Sequence, residues 1–298
     1  MGRPISNAGM AAEERLTSRG QLRRSIAAML RDSGVVWADA ESRWIVEAAA
    51  GRVHDVPPEA RAQLEPRVVE AALNLTRRRA RGEPLQYVTG VTGFRRLELE
   101  VGPGVFIPRP ETELVAERAM TRLPPSGCLV DAATGSGAIA LAIADERPDA
   151  RVLATELSAD ALAWAERNAR SLGLCVELLA GDLLAPLPPN LRGRVDVVVS
   201  NPPYVPAGDG AALPHDVVDH EPHLALFAGG GGLEIAERIA DEARGWLAPG
   251  GALVLEIGET QGAEAAAMLS SLGYGRAAIH RDLTGRERIA EAVLGAAE

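Results

Sequence analysis

The chain contains no lysine: all 31 basic residues among its 298 are arginine. That absence removes a Schiff-base amine, a pyridoxal phosphate anchor and a P-loop, each of which requires a lysine. Cysteine is scarce too. The 2 cysteines, Cys128 and Cys175, are far apart in apolar runs, which excludes a disulfide framework and suggests buried thiols in a reducing compartment. No apolar run approaches the roughly 18 residues of a membrane helix, and the N-terminus lacks the apolar core of a signal peptide. A soluble, cytoplasmic protein is expected. The net charge of −10 denies the chain a broad basic face, so stable nucleic-acid binding is not expected.

What is present divides into three stretches. Over residues 1–81 apolar residues recur at helical spacing in "LRRSIAAML", "ESRWIVEAAAG" and "EPRVVEAALNLTRRRA", with breaks at Gly34 and Pro57-Pro58, which predicts a small helical bundle. Residues 82–104 carry "PLQYVTG" and the alternating "FRRLELEV", which predict a β-hairpin connector. From 105 to 298 helix and strand alternate. Strand candidates are "CLVDAA", "RVLATE", "CVELLA", "VDVVVS", "ALVLEIG" and two weaker segments near Ala277 and Ile289. Such alternation gives an α/β, doubly wound, mostly parallel sheet, whose ligands bind beyond the carboxyl ends of the strands.

The first of those ends is "LVDAATGSGAIALAIA", a strand, a glycine turn and a helix. Gly135 and Gly137 let backbone approach a ligand where a Cβ would collide. "RVLATE" then ends at Glu156, at the spacing from Gly135 where an acidic residue accepts hydrogen bonds from ribose hydroxyls. Dinucleotides and S-adenosylmethionine both satisfy that pattern. Ala133 stands where the dinucleotide fingerprint has glycine, and the carboxylate of Asp131 suits a cationic ammonium or sulfonium better than two phosphates. At the third strand end, Asp182 and Leu183 offer one polar and one apolar contact for an adenine ring.

The fourth strand halts at Asn201-Pro202-Pro203-Tyr204. An amide nitrogen is a poor nucleophile because its lone pair is delocalised. Acceptors on both of its N–H bonds hold that lone pair toward an electrophile and stabilise the charge that develops. Asn201 Oδ1 supplies one acceptor, and the Pro202 carbonyl, kept off a ladder by the prolines, supplies the other. Tyr204 packs on the planar group.

These residues resemble the peptide chain release factor glutamine methyltransferase family, on "PLQYVTG", "GVFIPRPETELV", "DAATGSGAIALAIA", "DVVVSNPPY", "EPHLALFAGGGGLE", "APGGALVLEIGETQ" and "DLTGRER". The resemblance spans nearly the whole chain. It implies a seven-stranded Rossmann-like methyltransferase sheet and methylation of the glutamine amide in a release factor's Gly-Gly-Gln loop, with S-adenosylmethionine as cofactor. Implied cofactor contacts are Phe106, Asp131, Ala133, Thr134, Gly135, Ser136, Gly137, Glu156, Asp182, Leu183 and Asn201. Asn201, Pro202 and Tyr204 are the implied catalytic group, and with Pro203 and Arg109 they form the substrate pocket. Ala133 and Leu183 depart from the glycine and the aromatic often found there. Expected partners are the release factor alone, with a helical N-terminal domain that recognises it, a monomeric state, and no membrane. Alternatives in view are another protein glutamine, an adenine amino group and a non-catalytic binding module.

Several residues stay open. Arg109, Glu111 and Glu113 either cap the following helix or organise the pocket. His215, His220 and His223 with Asp216, Asp219 and Glu221 match no standard zinc spacing, so no metal is expected and the segment is a substrate-covering loop hinged at "GGGG". "RRRAR" over 77–81 is the cationic end of a helix or a contact for the protein substrate. Glu256 ends a strand beside the pocket without a role that the sequence assigns.

Overall fold

A computed structural model of the chain describes residues 18–51, 64–275 and 277–295. The Pro57-Pro58 break lies outside these residues. The chain divides into two compact units, Met1–Gly90 and Val91–Glu298.

In the first unit α1 (Arg19–Asp32) opens on a capping box between Ser18 and Gln21, which satisfies two orphan donors. It is followed by α2 (Ala38–Ala49), α3 (Pro66–Arg79) and α4 (Leu85–Thr89). Leu22, Ile26 and Leu30, each four residues apart, meet Ile45, Val46, Val69 and Leu73 in one core. The "PLQYVTG" segment is helical, contrary to the β reading. Leu85 and Val88 lie three apart on one helical face and enter that core, and Gly90 closes the turn at φ 81°. Of the "RRRAR" arginines, Arg79 pairs with the buried Glu41 at 2.7 Å and Arg78 Nε donates to Glu83 at 2.7 Å, so both serve the unit itself.

The second unit begins with the antiparallel pair β1 (Val91–Phe94) and β2 (Leu97–Glu100), so the hairpin is shorter than the sequence suggests. Then come α5 (Thr112–Arg122), β3 (Cys128–Ala132), α6 (Ala138–Glu146), β4 (Arg151–Glu156), α7 (Ala159–Leu172), β5 (Glu177–Ala180) and β6 (Val195–Ser200). After β6 follow β7 (Val205–Pro206), α8 (His215–His220), β8 (Phe227–Gly229), α9 (Glu234–Ala243), β9 (Leu247–Glu256), α10 (Gly262–Ser271), β10 (Ala278–Arg281) and β11 (Glu287–Val293). Seven strands form one sheet in the order β10-β11-β9-β6-β3-β4-β5, with β11 antiparallel to both its neighbours and the rest parallel.

Successive strand residues feed opposite faces, as the two-residue period of a strand requires. Val130, Val198, Leu253 and Leu255 pack with Ile239, Ala240 and Leu269 of α9 and α10. Leu129, Val197, Val199 and Val254 pack with Val115, Ala119, Ile139 and Ile143 of α5 and α6. Both faces are therefore covered, the condition under which parallel strands are stable. Among the described residues no helix is long and apolar enough to cross a membrane. The cysteines depart from expectation: Cys128 is half-buried and Cys175 is exposed, because Cys175 precedes β5, which pairs with β4 alone at the edge of the sheet.

The chain runs outward from β3 through β4 to β5, then returns to the other side of β3 with β6. The β3–β6 ladder reaches Asp131 opposite Val199, and beyond it the Ser200 hydroxyl donates to the Ala132 carbonyl at 2.7 Å. Past that point the strand ends diverge into a crevice. Asn168 on α7 steadies its rim. Its Oδ1 accepts from Glu100 N at 2.7 Å, and its Nδ2 donates to the carbonyls of Glu100 and Ser136, each at 3.0 Å. Asn168 is fully buried, so Asn168→Ala strands three backbone groups. Chemical denaturation should show a loss of about 3 kcal/mol.

Candidate active site

The crevice opens into a cleft of about 990 Å³ lined by Phe106, Arg109, Asp131, Ala133 to Ser136, Glu156, Asp182, Leu183 and Asn201 to Tyr204 among others. Most of the residues singled out from sequence therefore line one cavity; Gly137 lies just beyond, as the residue before α6.

Its floor is the turn after β3. Ala133, Gly135 and Gly137 all take positive φ, at 57°, 60° and 85°. Glycine adopts such angles freely, whereas an alanine there is strained by its Cβ. Thr134 Oγ1 and Ala140 N both donate to Asp131 Oδ2, at 2.6 and 3.1 Å. Asp131 Oδ1 is buried with no partner among the described residues. Burial pushes the Asp131 carboxyl up to about 7, against the opposing pull of those two hydrogen bonds.

Glu156 accepts from Gly135 N and Ser158 N, each at 2.8 Å. It thus braces the glycine turn, and each oxygen keeps a further lone pair for a ligand hydroxyl. Asp182 is engaged by Arg238 at 2.6 Å, an ion pair the sequence reading did not foresee. Leu183 is buried and holds φ 45°.

Asn201 follows β6 directly. Its Nδ2 donates to Thr112 Oγ1 at 3.1 Å, and that hydroxyl donates to Glu256 Oε2 at 2.6 Å. Among the described residues no donor reaches Asn201 Oδ1 or the Pro202 carbonyl. Gln261 Nε2 donates to the Tyr204 carbonyl at 3.0 Å and fixes the backbone after the prolines. Burial raises the Tyr204 phenol, with the Glu256 charge adding to the effect. Burial also lifts the Glu256 carboxyl to about 7, moderated by Thr112 and Arg288.

The segment between β7 and β8 lies along one side of the cleft. Glu221 is turned inward, where it accepts from Ile107 N at 3.1 Å and forms an ion pair with Arg109. Arg109 in turn sits 4.6 Å above the Phe106 ring. Its guanidinium thus ties the covering loop to the 106–109 segment. Glu113 accepts from Arg95 N at 2.9 Å, and Glu111 makes no side-chain cap, so neither caps α5. The histidines diverge: His215 and His220 are exposed on α8, and His223 sits edge-on to Phe227.

Thr112, Gln261, Glu221 and Arg238 escaped the sequence reading as site residues. Thr112 and Gln261 lie within "RPETE" and "GETQ", so proximity to a motif was the only available signal. The cleft partners that give them a role lie 57 to 144 residues away.

Comparison with known proteins gives two family matches: the PrmC N-terminal domain over residues 21–90 and the methyltransferase small domain over 102–230. A release factor glutamine methyltransferase of Streptomyces coelicolor is 47% identical over 81% of this chain and 84% of its own length. One of Geobacter sulfurreducens is 38% identical over 89% of this chain and 93% of its own. Among solved structures, a T. thermophilus 16S rRNA N2 G1207 methyltransferase in complex with AdoMet and guanosine aligns with a TM-score of 0.51. It is 20% identical, over 68% of this chain and 49% of that one, a likeness of fold alone.

Two outcomes are expected here. The unfolded Asp131 carboxyl ionises near 3.8 and the folded one near 7, so the folded state holds an extra proton between those values. The associated stability is complete below about pH 4 and is lost as pH rises toward 7. Asparagine keeps an acceptor for Thr134 and Ala140 but does not titrate. The melting temperature should fall less steeply with rising pH in Asp131→Asn than in the wild type, and parallel slopes would contradict the assignment. Ala133→Gly relieves a positive-φ alanine and should stabilise the fold by about 1 kcal/mol in urea titrations.

Proposed function

The chain belongs to the release factor glutamine methyltransferase family, and from that membership we propose that it methylates the side-chain amide nitrogen of a release-factor glutamine, within the Gly-Gly-Gln loop. The methyl donor is S-adenosylmethionine, which supplies an electrophilic methyl group on a sulfonium. The observation that carries the reading is the pairing, in one cleft, of two unengaged acceptors, Asn201 Oδ1 and the Pro202 carbonyl, with the unpartnered buried oxygen of Asp131.

The residues present fit that donor. Asp131 Oδ1 is a buried acceptor without a donor among the described residues, suited to an ammonium group. Glu156 retains lone pairs for ribose hydroxyls, and Leu183 offers an apolar surface for a base beside Asp182. The turn from Ala133 to Gly137 brings backbone close to this part of the cleft.

The chain's own work is to orient. Asn201 Oδ1 and the Pro202 carbonyl each accept one hydrogen of the substrate amide, so its nitrogen faces the glycine-turn side of the cleft. Both acceptors are fixed before the substrate arrives: Asn201 by Thr112, and the backbone beyond Pro202 by the prolines and Gln261. As positive charge develops on nitrogen, those oxygens stabilise it; the donor would leave as a neutral thioether, and the nitrogen gives up one of its two held hydrogens as a proton that passes to solvent from the open cleft. Tyr204, held neutral by burial, packs against the planar amide. The loop tied by Glu221 to Arg109 and Ile107 walls one side of the cleft.

We assign recognition of the release factor to the helical N-terminal unit. Its exposed Trp37, at the N-cap of α2, and Trp44, within α2, support that assignment.

Incubation with labelled donor and purified release factor, followed by mass spectrometry, should place one methyl group on the glutamine. Asn201→Ala should lower turnover by about 10² to 10³, with donor affinity falling less in calorimetry. Wild-type turnover in that variant would remove Asn201 from the mechanism.

A further inference from the structure

Glu256 ends β9 inside the cleft, is 1% exposed, and among the described residues contacts no arginine closely enough to form an ion pair. A buried carboxylate is costly, and the amide chemistry above does not itself use one. Glu256 touches Thr112 and the Tyr204 phenol, and Thr112 touches Asn201.

The chain of contacts has a direction. Burial lifts the Glu256 carboxyl to about 7, so the relay belongs to its ionised form, above that pH: an ionised carboxylate only accepts, and a hydroxyl has one hydrogen to give. Thr112 gives its hydrogen to Glu256 Oε2 at 2.6 Å, so only lone pairs of Oγ1 remain for Asn201. A lone pair meets an N–H, and Asn201 Nδ2 stands 3.1 Å away. The two planar orientations of an asparagine amide have almost the same shape and differ only in which end carries oxygen. One end is held by Thr112, so the oxygen is turned to the open cleft. The reverse orientation would present N–H groups to a substrate amide that itself presents N–H groups.

We propose that Glu256 and Thr112 are positioning residues that set the polarity of the Asn201 side chain, so that its oxygen faces the nitrogen to be methylated. This rests on the proposed methylation of an amide. The three residues come from β9, the start of α5 and the end of β6, so the relay exists only in the assembled fold. Thr112 is 3% exposed and Glu256 1% exposed, so bulk water competes little for their hydrogen bond. Glutamine at 256 can turn either an oxygen or an N–H toward Thr112, so it leaves the polarity undetermined. Valine at 112 keeps the shape and deletes the hydroxyl.

The test uses the full chain with Thr112→Val, Thr112→Ser, Glu256→Gln and the Thr112→Val/Glu256→Gln pair. Turnover on the release factor should fall about 10²-fold in Thr112→Val, with KM and donor affinity little changed, and should return in Thr112→Ser. The loss in the double variant should be smaller than the product of the two single losses, because both changes cut the same chain. A second readout needs neither donor nor turnover. In nuclear magnetic resonance of the donor-free protein, the Asn201 side-chain amide hydrogens should exchange with solvent slowly in the wild type and in Thr112→Ser, and faster in Thr112→Val. Full turnover in Thr112→Val, losses that multiply in the double variant, or unaltered exchange would each overturn the relay. A wild type that methylates no glutamine yet shows Thr112-dependent exchange would refute the methylation reading and keep the relay as a structural fact.

Discussion

The pairing of β3 with β6 is the constraint on which everything else in the second unit rests. It brings Asp131 and Asn201, 70 positions apart in the chain, to adjacent strand ends. Shifting that register by one residue would turn Val197, Val198 and Val199 to the opposite faces of a sheet packed on both sides. The hydrophobic alternation that builds the core therefore also fixes the distance between the nucleoside side of the cleft and the amide side. Stability and site geometry are set by the same ladder.

Around that ladder the cleft is organised by acceptors rather than by cations. Asp131, Glu156 and Glu256 are all buried, and each accepts from hydroxyl or backbone donors. The nearby arginines are occupied elsewhere: Arg109 with Glu221 and Arg238 with Asp182. A chain without lysine thus loses nothing the site needs. Two of the buried carboxyls are pushed up to about 7 because burial outweighs their hydrogen bonds, and the third is bridged to two backbone N–H groups. The three acidic groups divide the cleft among them. Asp131 holds the first turn, Glu156 ties that turn to the end of β4, and Glu256 faces Thr112.

Much of this was legible in the sequence, for identifiable reasons. Five of the seven strands stood out as apolar runs alternating with helical patterns, the two near Ala277 and Ile289 only weakly, and the glycine turn stood out because positive φ selects glycine. Asn201 to Tyr204 stood out because two prolines at a strand end are otherwise hard to account for. Ala133 was legible as a departure, and the structure gives its meaning as a strained φ of 57°. The failures are of another kind. Leu85–Thr89 has strand-like composition, but burial of Leu85 and Val88 in a helical core outweighed propensity. Cys175 looked buried because its neighbours are apolar, yet it precedes an edge strand. Thr112, Glu256 and Gln261 acquire meaning only through partners distant in sequence, which no local pattern encodes.

The central claim is that two fixed oxygens hold a planar amide with its nitrogen toward the glycine-turn side of the cleft. The most direct measurement is a crystal structure of the full chain with S-adenosylhomocysteine and a Gly-Gly-Gln peptide. The account predicts Asn201 Oδ1 and the Pro202 carbonyl each within hydrogen-bond distance of the glutamine amide nitrogen, with that nitrogen facing the sulfur. A glutamine side chain seated elsewhere, or an Asn201 amide turned with its nitrogen to the substrate, would contradict it.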